Sequence, residues 1–190
     1  MKVVFLDVDG VCHQVDDPRG PFRPRCMVQL KKVVHGSDAQ ICLSSSWRES
    51  DWGREKVDKY LQANEMPPIM ADGLTPMPEE GYNTRSDEIL AWLHRHPEVT
   101  HWVVLDDLDL TWDDDSVTTP SVMLDHFVQT DPDQGMTAED AARALAILAE
   151  PCKGPLPPAR KEGEVLTTPP SEPVVMEAVA DSMACMNVGG

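Results

Sequence analysis

The chain has 190 residues, enough for one domain with its own core plus an appendage. Its 33 acidic and 16 basic side chains give a formal net charge of -17. That charge favours solubility and disfavours a nonspecific nucleic-acid binder, which needs a basic surface to release counterions.

The elements alternate along residues 1 to 150. Lys2 to Leu6 is an apolar run that reads as a buried strand, and Arg25 to His35 as a helix. Ala39 to Leu43 is a second apolar strand, and Asp51 to Asn64 is helical. Residues Pro67 to Asn83 read as a loop. Arg85 to His96 places Ile89, Trp92, Leu93 and His96 on one helical face, with Thr84 and Asp87 as a candidate capping box. Trp102 to Leu105 and His126 to Gln129 read as strands. Thr137 opens a helix to Ala149, with Asp140 three residues on. After Glu150 the composition changes. Residues 151 to 190 hold seven prolines and no sustained periodicity, so they read as a disordered tail, with Val174 to Met186 as a weak amphipathic helix. Strands alternating with helices predict an α/β fold: a Rossmann-like three-layer sandwich around a mostly parallel sheet.

Five cysteines, Cys12, Cys26, Cys42, Cys152 and Cys185, form no Cys-x-x-Cys pair. Reduced thiols in an intracellular, cytoplasmic protein are the simplest expectation. No apolar run is long enough for a membrane span, so no membrane partner is expected.

In a parallel sheet, ligands bind beyond the carboxyl ends of the strands. Asp7 and Asp9 end the first strand. Being two apart in an extended chain, their carboxylates face one cavity, and Gly10 permits the turn that follows. Two carboxylates this close repel, so a shared proton or a cation is expected between them. A hard divalent cation suits all-oxygen ligands, with magnesium the common choice beside phosphate. The second strand ends in Ser44-Ser45-Ser46-Trp47-Arg48. Its hydroxyls can donate to a phosphate oxygen, and Arg48 can bind phosphate in bidentate fashion. Arg85 opens a helix. A later strand ends in Asp106 and Asp107. Asp109 and Asp113 to Asp115 read as a solvated acidic loop, and His13 as a loop histidine rather than a metal ligand. Taken singly, an aspartate after a strand is usually a cap or turn residue. The conjunction, in this order, is far more specific.

That order resembles the haloacid dehalogenase-like (HAD) superfamily. Phe5-Leu6-Asp7-Val8-Asp9-Gly10-Val11 resembles its first motif and Ile41 to Ser44 its second. Arg85 stands where the third motif has lysine or arginine, and Leu105-Asp106-Asp107 resembles the fourth. Ser44-Ser45-Ser46-Trp47-Arg48 and Arg85 to Leu93 resemble the compact Swiss Army Knife RNA repair-like HAD domains. The phosphatase half of polynucleotide kinase–phosphatases is a more distant likeness.

The resemblance implies a Mg2+-dependent phosphatase working through an aspartyl phosphate. Asp7 would be the nucleophile and Asp9 the acid and base. Asp7, the backbone carbonyl of Asp9 and Asp107 would hold magnesium, with Asp106 supporting or sharing that role. Ser44 and Arg85 would hold the phosphate, with Ser46 and Arg48 as the alternative to Ser44.

The intervals between motifs leave no room for a cap domain. An open site suits a bulky phosphorylated substrate, a polynucleotide end or a phosphoprotein. The other readings are a silent HAD-like scaffold that binds partners, and a phosphoryl-accepting receiver domain. The motif order disfavours the receiver, and the retained Asp7 and Asp9 argue against silence.

Overall fold

The computed structural model describes residues 1–82, 84–110 and 121–159. Five strands form one all-parallel sheet: β1 (Lys2–Leu6), β2 (Gln40–Leu43), β3 (Ile69–Leu74), β4 (His101–Asp106) and β5 (Phe127–Gln129). Their spatial order is β3-β2-β1-β4-β5. The helices are α1 (Pro24–Ser37), α2 (Asp51–Ala63), α3 (Arg85–Arg95), α4 (Ser121–Asp125) and α5 (Ala138–Ala149). This is the expected Rossmann-like three-layer sandwich. Neither the interval from β1 to β2 nor that from β2 to α3 holds an inserted domain among the described residues.

Alternation along the strands divides the core in two. Val4, Leu6, Ile41, Leu43, Val103, Leu105 and Val128 face one layer, where Leu30 and Val34 of α1, Val57 and Leu61 of α2, and Ala144 and Leu148 of α5 cover them. Val3, Phe5, Cys42, Trp102, Val104 and Phe127 face the other, under Ile89, Trp92 and Leu93 of α3 and Met123 of α4. Strand β1 is central and covered on both faces, which is why its sequence is apolar without alternation. Phe5 is its largest side chain and meets Trp92 and Trp102 edge-on, at centroid distances of 5.3 and 6.1 Å.

Helix ends follow their sequence signals. Pro24 begins α1 at the position where a missing N–H costs nothing. Thr137 and Asp140 form a reciprocal capping box on α5. Thr84 Oγ1 accepts from Asp87 N at 3.2 Å and donates to the Asp87 carboxylate at 2.9 Å.

Strand β3 departs from expectation, since its residues read as part of a loop. It follows Pro67-Pro68 and lies at the sheet edge, with Ala71 and Asp72 exposed. Asp72 adopts a left-handed backbone (φ 59°), and the pairing with β2 jumps from Ile41↔Ile69 to Leu43↔Leu74. A bulged edge strand of this kind has neither alternation nor an apolar run to reveal it. Beyond residue 150, where the tail was expected to begin, Cys152 N donates to Thr100 O at 2.8 Å, and Leu156 and Ala159 pack on the second layer. The expected tail helix, Val174 to Met186, and the acidic run Asp113 to Asp115 lie outside the described residues.

Phe5→Ala would remove a fully buried ring and two aromatic contacts. A loss of about 3–5 kcal/mol in urea unfolding is expected. A loss below 1 kcal/mol would mean that the two helical layers do not depend on this ring.

Candidate active site

In this strand order the chain leaves β1 toward β2 and β3, then returns across β1 to β4. The crevice between the carboxyl ends of β1 and β4 is therefore the topological switch point, where α/β sheets hold ligands. Pairing brings Leu6 beside Leu105, so the residues that follow, Asp7 and Asp106, lie side by side. Asp7 N donates to Leu105 O at 2.9 Å, which extends the ladder one step and fixes the Asp7 backbone.

Arg85, the first residue of α3, connects the strand ends. Its Nη1 donates to Asp7 Oδ1 (3.0 Å), to Asp106 Oδ2 (2.7 Å) and to the Ser44 carbonyl (2.6 Å). Asp106 is fully buried, and its other oxygen accepts from Leu108 N at 3.0 Å. Asp107 sits against Gly10. A Cβ added at Gly10 would lie 2.4 Å from Cγ of Asp107, and Gly10 has φ 68°. Glycine is required there on both counts. Thr130 Oγ1 donates to the Gly10 carbonyl at 2.8 Å, so the end of β5 holds the same turn.

The Asp9 side chain has its own partners. Trp47 Nε1 donates to its Oδ2 at 2.8 Å, and His13 Nε2 lies 3.1 Å from its Oδ1. Asp7, Asp106 and Asp107 bring carboxylate oxygens within 4.8 Å of one another, a set that does not include the Asp9 side chain.

Burial pushes the Asp7 pKa up to about 7, and repulsion from Asp106 adds to this, while the Arg85 guanidinium pulls the other way. Asp106 and Asp107 are raised as well, chiefly by burial. For Arg85, burial opposes the charge, but Asp106 and Asp7 more than offset it and the pKa is raised. Asp9 is held below the usual carboxylate range, first by the His13 hydrogen bond. One guanidinium thus serves a cluster whose carboxylates resist full ionisation. The donor set is all oxygen, converges within a few ångströms and has an excess of negative charge. It fits a hard divalent cation.

The serine run divides by burial. Ser44 and Ser45 are buried, and their hydroxyls, like that of Thr75, make no well-formed hydrogen bond within the described residues. The Ser45 hydroxyl is still close enough to Asp7 to favour its charged form. Ser46 is exposed, at the start of a 3-10 turn over Ser46–Glu49. Arg48 is 2% exposed and its donors are committed: Nε and Nη2 to Pro76 O, Nη1 to Ser45 O, and Nη2 to Glu88 Oε1 at 2.8 Å. Burial and these partners turn Arg48 toward the backbone around the serines rather than into the crevice.

Three residues near the site carry no sequence signal for it: Trp47 lies within the serine motif, His13 reads as a loop residue, and Thr75 falls in a stretch that reads as a loop. Thr75 N donates to Leu43 O at 3.2 Å, which brings its side chain to the end of β2. Only long-range pairing makes that visible.

A doubly wound parallel sheet with converging carboxylates and a partly buried arginine at its switch point places the chain among the α/β proteins whose strand ends form the ligand crevice. More narrowly, residues 3–141 match the family described as the HAD domain in Swiss Army Knife RNA repair proteins, and the chain belongs to that family. No curated protein and no solved structure matches it.

Between pH 3.8 and about 7, folded Asp7 retains a proton that the unfolded chain has released. Metal-free protein is therefore expected to lose stability as pH rises through that window, by ~4 kcal/mol at most. Asp7→Asn should flatten much of this slope and exceed the native protein in stability at pH 8. Urea unfolding in a chelator at pH 5 and pH 8 measures it, and a native stability unchanged between the two would contradict the raised pKa. Gly10→Ala should displace Asp107 and destabilise the fold by at least about 1 kcal/mol, read by urea unfolding.

Proposed function

We propose that this protein is a Mg2+-dependent phosphatase that works through an aspartyl phosphate on Asp7. The observation that carries the reading is the cluster at the switch point: Asp7, Asp106 and Asp107 converging, with Arg85 on two of them. Asp7, Asp107 and the backbone carbonyl of Asp9 would hold the magnesium, and Asp106 would share the role or orient Arg85. Bound there, the cation supplies charge neutralisation for the phosphoryl group and keeps the Asp7 carboxylate ionised.

A carboxylate oxygen of Asp7 attacks phosphorus, and the ester oxygen leaves with a proton from Asp9. Water then attacks the aspartyl phosphate, giving its proton to Asp9 and releasing phosphate. His13, 3.1 Å from Asp9, and Trp47 orient the Asp9 carboxylate for this role. Arg85 and the buried hydroxyls of Ser44 and Ser45 neutralise and orient the equatorial oxygens. Those hydroxyls support this role because both are buried at the strand end and Ser44 makes no well-formed hydrogen bond among the described residues. Ser44 is preferred to Ser46, which is exposed, and the partners of Arg48 favour a role holding the serine turn rather than phosphate.

Among the described residues no inserted domain covers the site, which supports a bulky substrate. A polynucleotide end agrees with the family's description from RNA repair proteins, and a phosphoprotein is the alternative.

Phosphate release from 4-nitrophenyl phosphate, mononucleotides and 3′- or 5′-phosphorylated oligonucleotides tests the reading. Activity should require Mg2+, and Asp7→Asn should lose at least about 10³-fold in kcat. Equal rates in the native protein and Asp7→Asn would remove the mechanism. Inactivity on every substrate would favour a silent scaffold.

A further inference from the structure

The indole that holds Asp9 is part of a longer aromatic array. Trp47 stacks on Trp52, with centroids 5.7 Å apart and planes at 22°. Phe22 meets Trp47 edge-on at 5.5 Å and stacks on Tyr60 at 4.3 Å. The interior members pack the first layer. Trp52 does not: it is 63% exposed, the most exposed of the large apolar side chains among the described residues.

Its position is nonetheless built. Ser50 caps α2 by accepting from Gly53 N at 3.1 Å. A Cβ at Gly53 would lie 2.2 Å from the Trp47 carbonyl, so only glycine lets the helix start approach that turn. Lys56 Nζ sits 4.4 Å from the Trp52 centroid and 5.3 Å from that of Trp47. Phe22 takes a left-handed backbone (φ 61°), an uncommon and costly conformation for a bulky residue, and in it stands between Trp47 and Tyr60. Trp52, Glu55, Lys56, Lys59 and Tyr60 line a shallow cavity of about 370 Å³.

We propose that Trp52, with Lys56 and Lys59, is a stacking platform for the nucleobase of a phosphorylated nucleotide or short single-stranded end whose phosphate lies at Asp7. The inference rests on the phosphatase reading and names its substrate class. A base offers a flat π-face, which a fixed indole binds at little entropic cost. The two lysines bring positive charge where a neighbouring phosphate of the chain would run, in a protein of net charge -17. Glu55 can accept from an exocyclic amino group. Trp47 touches both Asp9 and Trp52, which sets the platform on the side of the site where Asp9 lies. The overall negative charge opposes long polyanions, so one or two nucleotides are the favoured length.

The test compares the native protein with Trp52→Ala and Trp52→Phe on adenosine monophosphates, ribose 5-phosphate and a phosphotyrosine peptide. The ratio of kcat/KM for the nucleotide to that for ribose 5-phosphate should fall about ten-fold in Trp52→Ala and largely recover in Trp52→Phe. Calorimetric binding of the adenosine monophosphates to Asp7→Asn, with and without Trp52→Ala, reads the platform without turnover, and a similar ten-fold loss is expected. An unchanged ratio, or native preference for the phosphotyrosine peptide, overturns the platform while leaving a phosphatase. Tryptophan-dependent binding without turnover in the native protein overturns the phosphatase reading while leaving the platform.

Discussion

One nitrogen, Nη1 of Arg85, shares its protons among Asp7 of the β1 end, the Ser44 carbonyl of the β2 end and Asp106 of the β4 end. Three parallel strands finish with their carbonyls and acidic side chains directed into the same small volume. Without a cation there, the ends of β1 and β4 would repel. Helix α3 supplies it from its first residue, and Ile89, Trp92 and Leu93 bury the rest of that helix against Phe5 and Val104. Hydrophobic packing of one layer thus sets where the guanidinium sits. The guanidinium in turn lets two buried carboxylates approach. Burying charge in this way is costly, and a single arginine compensates it only in part, as the elevated Asp7 pKa records. The site is an unstable arrangement held by a stable frame, which is the usual relation between a binding site and its scaffold.

Much of this frame was legible in the sequence. Strand β1 appears with its expected limits, and α3, β4 and α5 differ from expectation by no more than a residue or two at their ends. Their signals are local: an unbroken apolar run, a helical apolar face, a hydroxyl with an acid three residues on. Local too is the signal of Asp7, Asp9, Ser44, Arg85, Asp106 and Asp107, since each lies at or just past a strand end or opens a helix. Parallel pairing then brings those ends together without further information.

What the sequence concealed depended on tertiary contact. Arg48 reads as a free cation beside serines, yet burial gives it three backbone acceptor contacts and Glu88. His13 and Trp47 reach Asp9 from a loop and a 3-10 turn, elements without periodicity. Thr75 reaches the end of β2 only because β3 exists, and β3 has no pattern of its own. The same gap separates a resemblance in motifs from knowledge of a substrate. Motifs lie at strand ends, whereas the surface that meets the rest of a substrate is assembled from side chains distant in sequence.

The irregularity of β3 also bears on how the molecule behaves in a crowded solution. An all-parallel sheet has two open edges, and an unpaired strand edge is a template for other chains. Among the described residues, one edge is a strand of three residues, β5. The other is β3, where Asp72 in a left-handed conformation breaks the row of donors and acceptors and sets an exposed negative charge on the rim. A foreign strand laid along it would meet a kink and a carboxylate instead of a continuous ladder. The bulge that made β3 hard to recognise thus protects the fold from edge-to-edge aggregation.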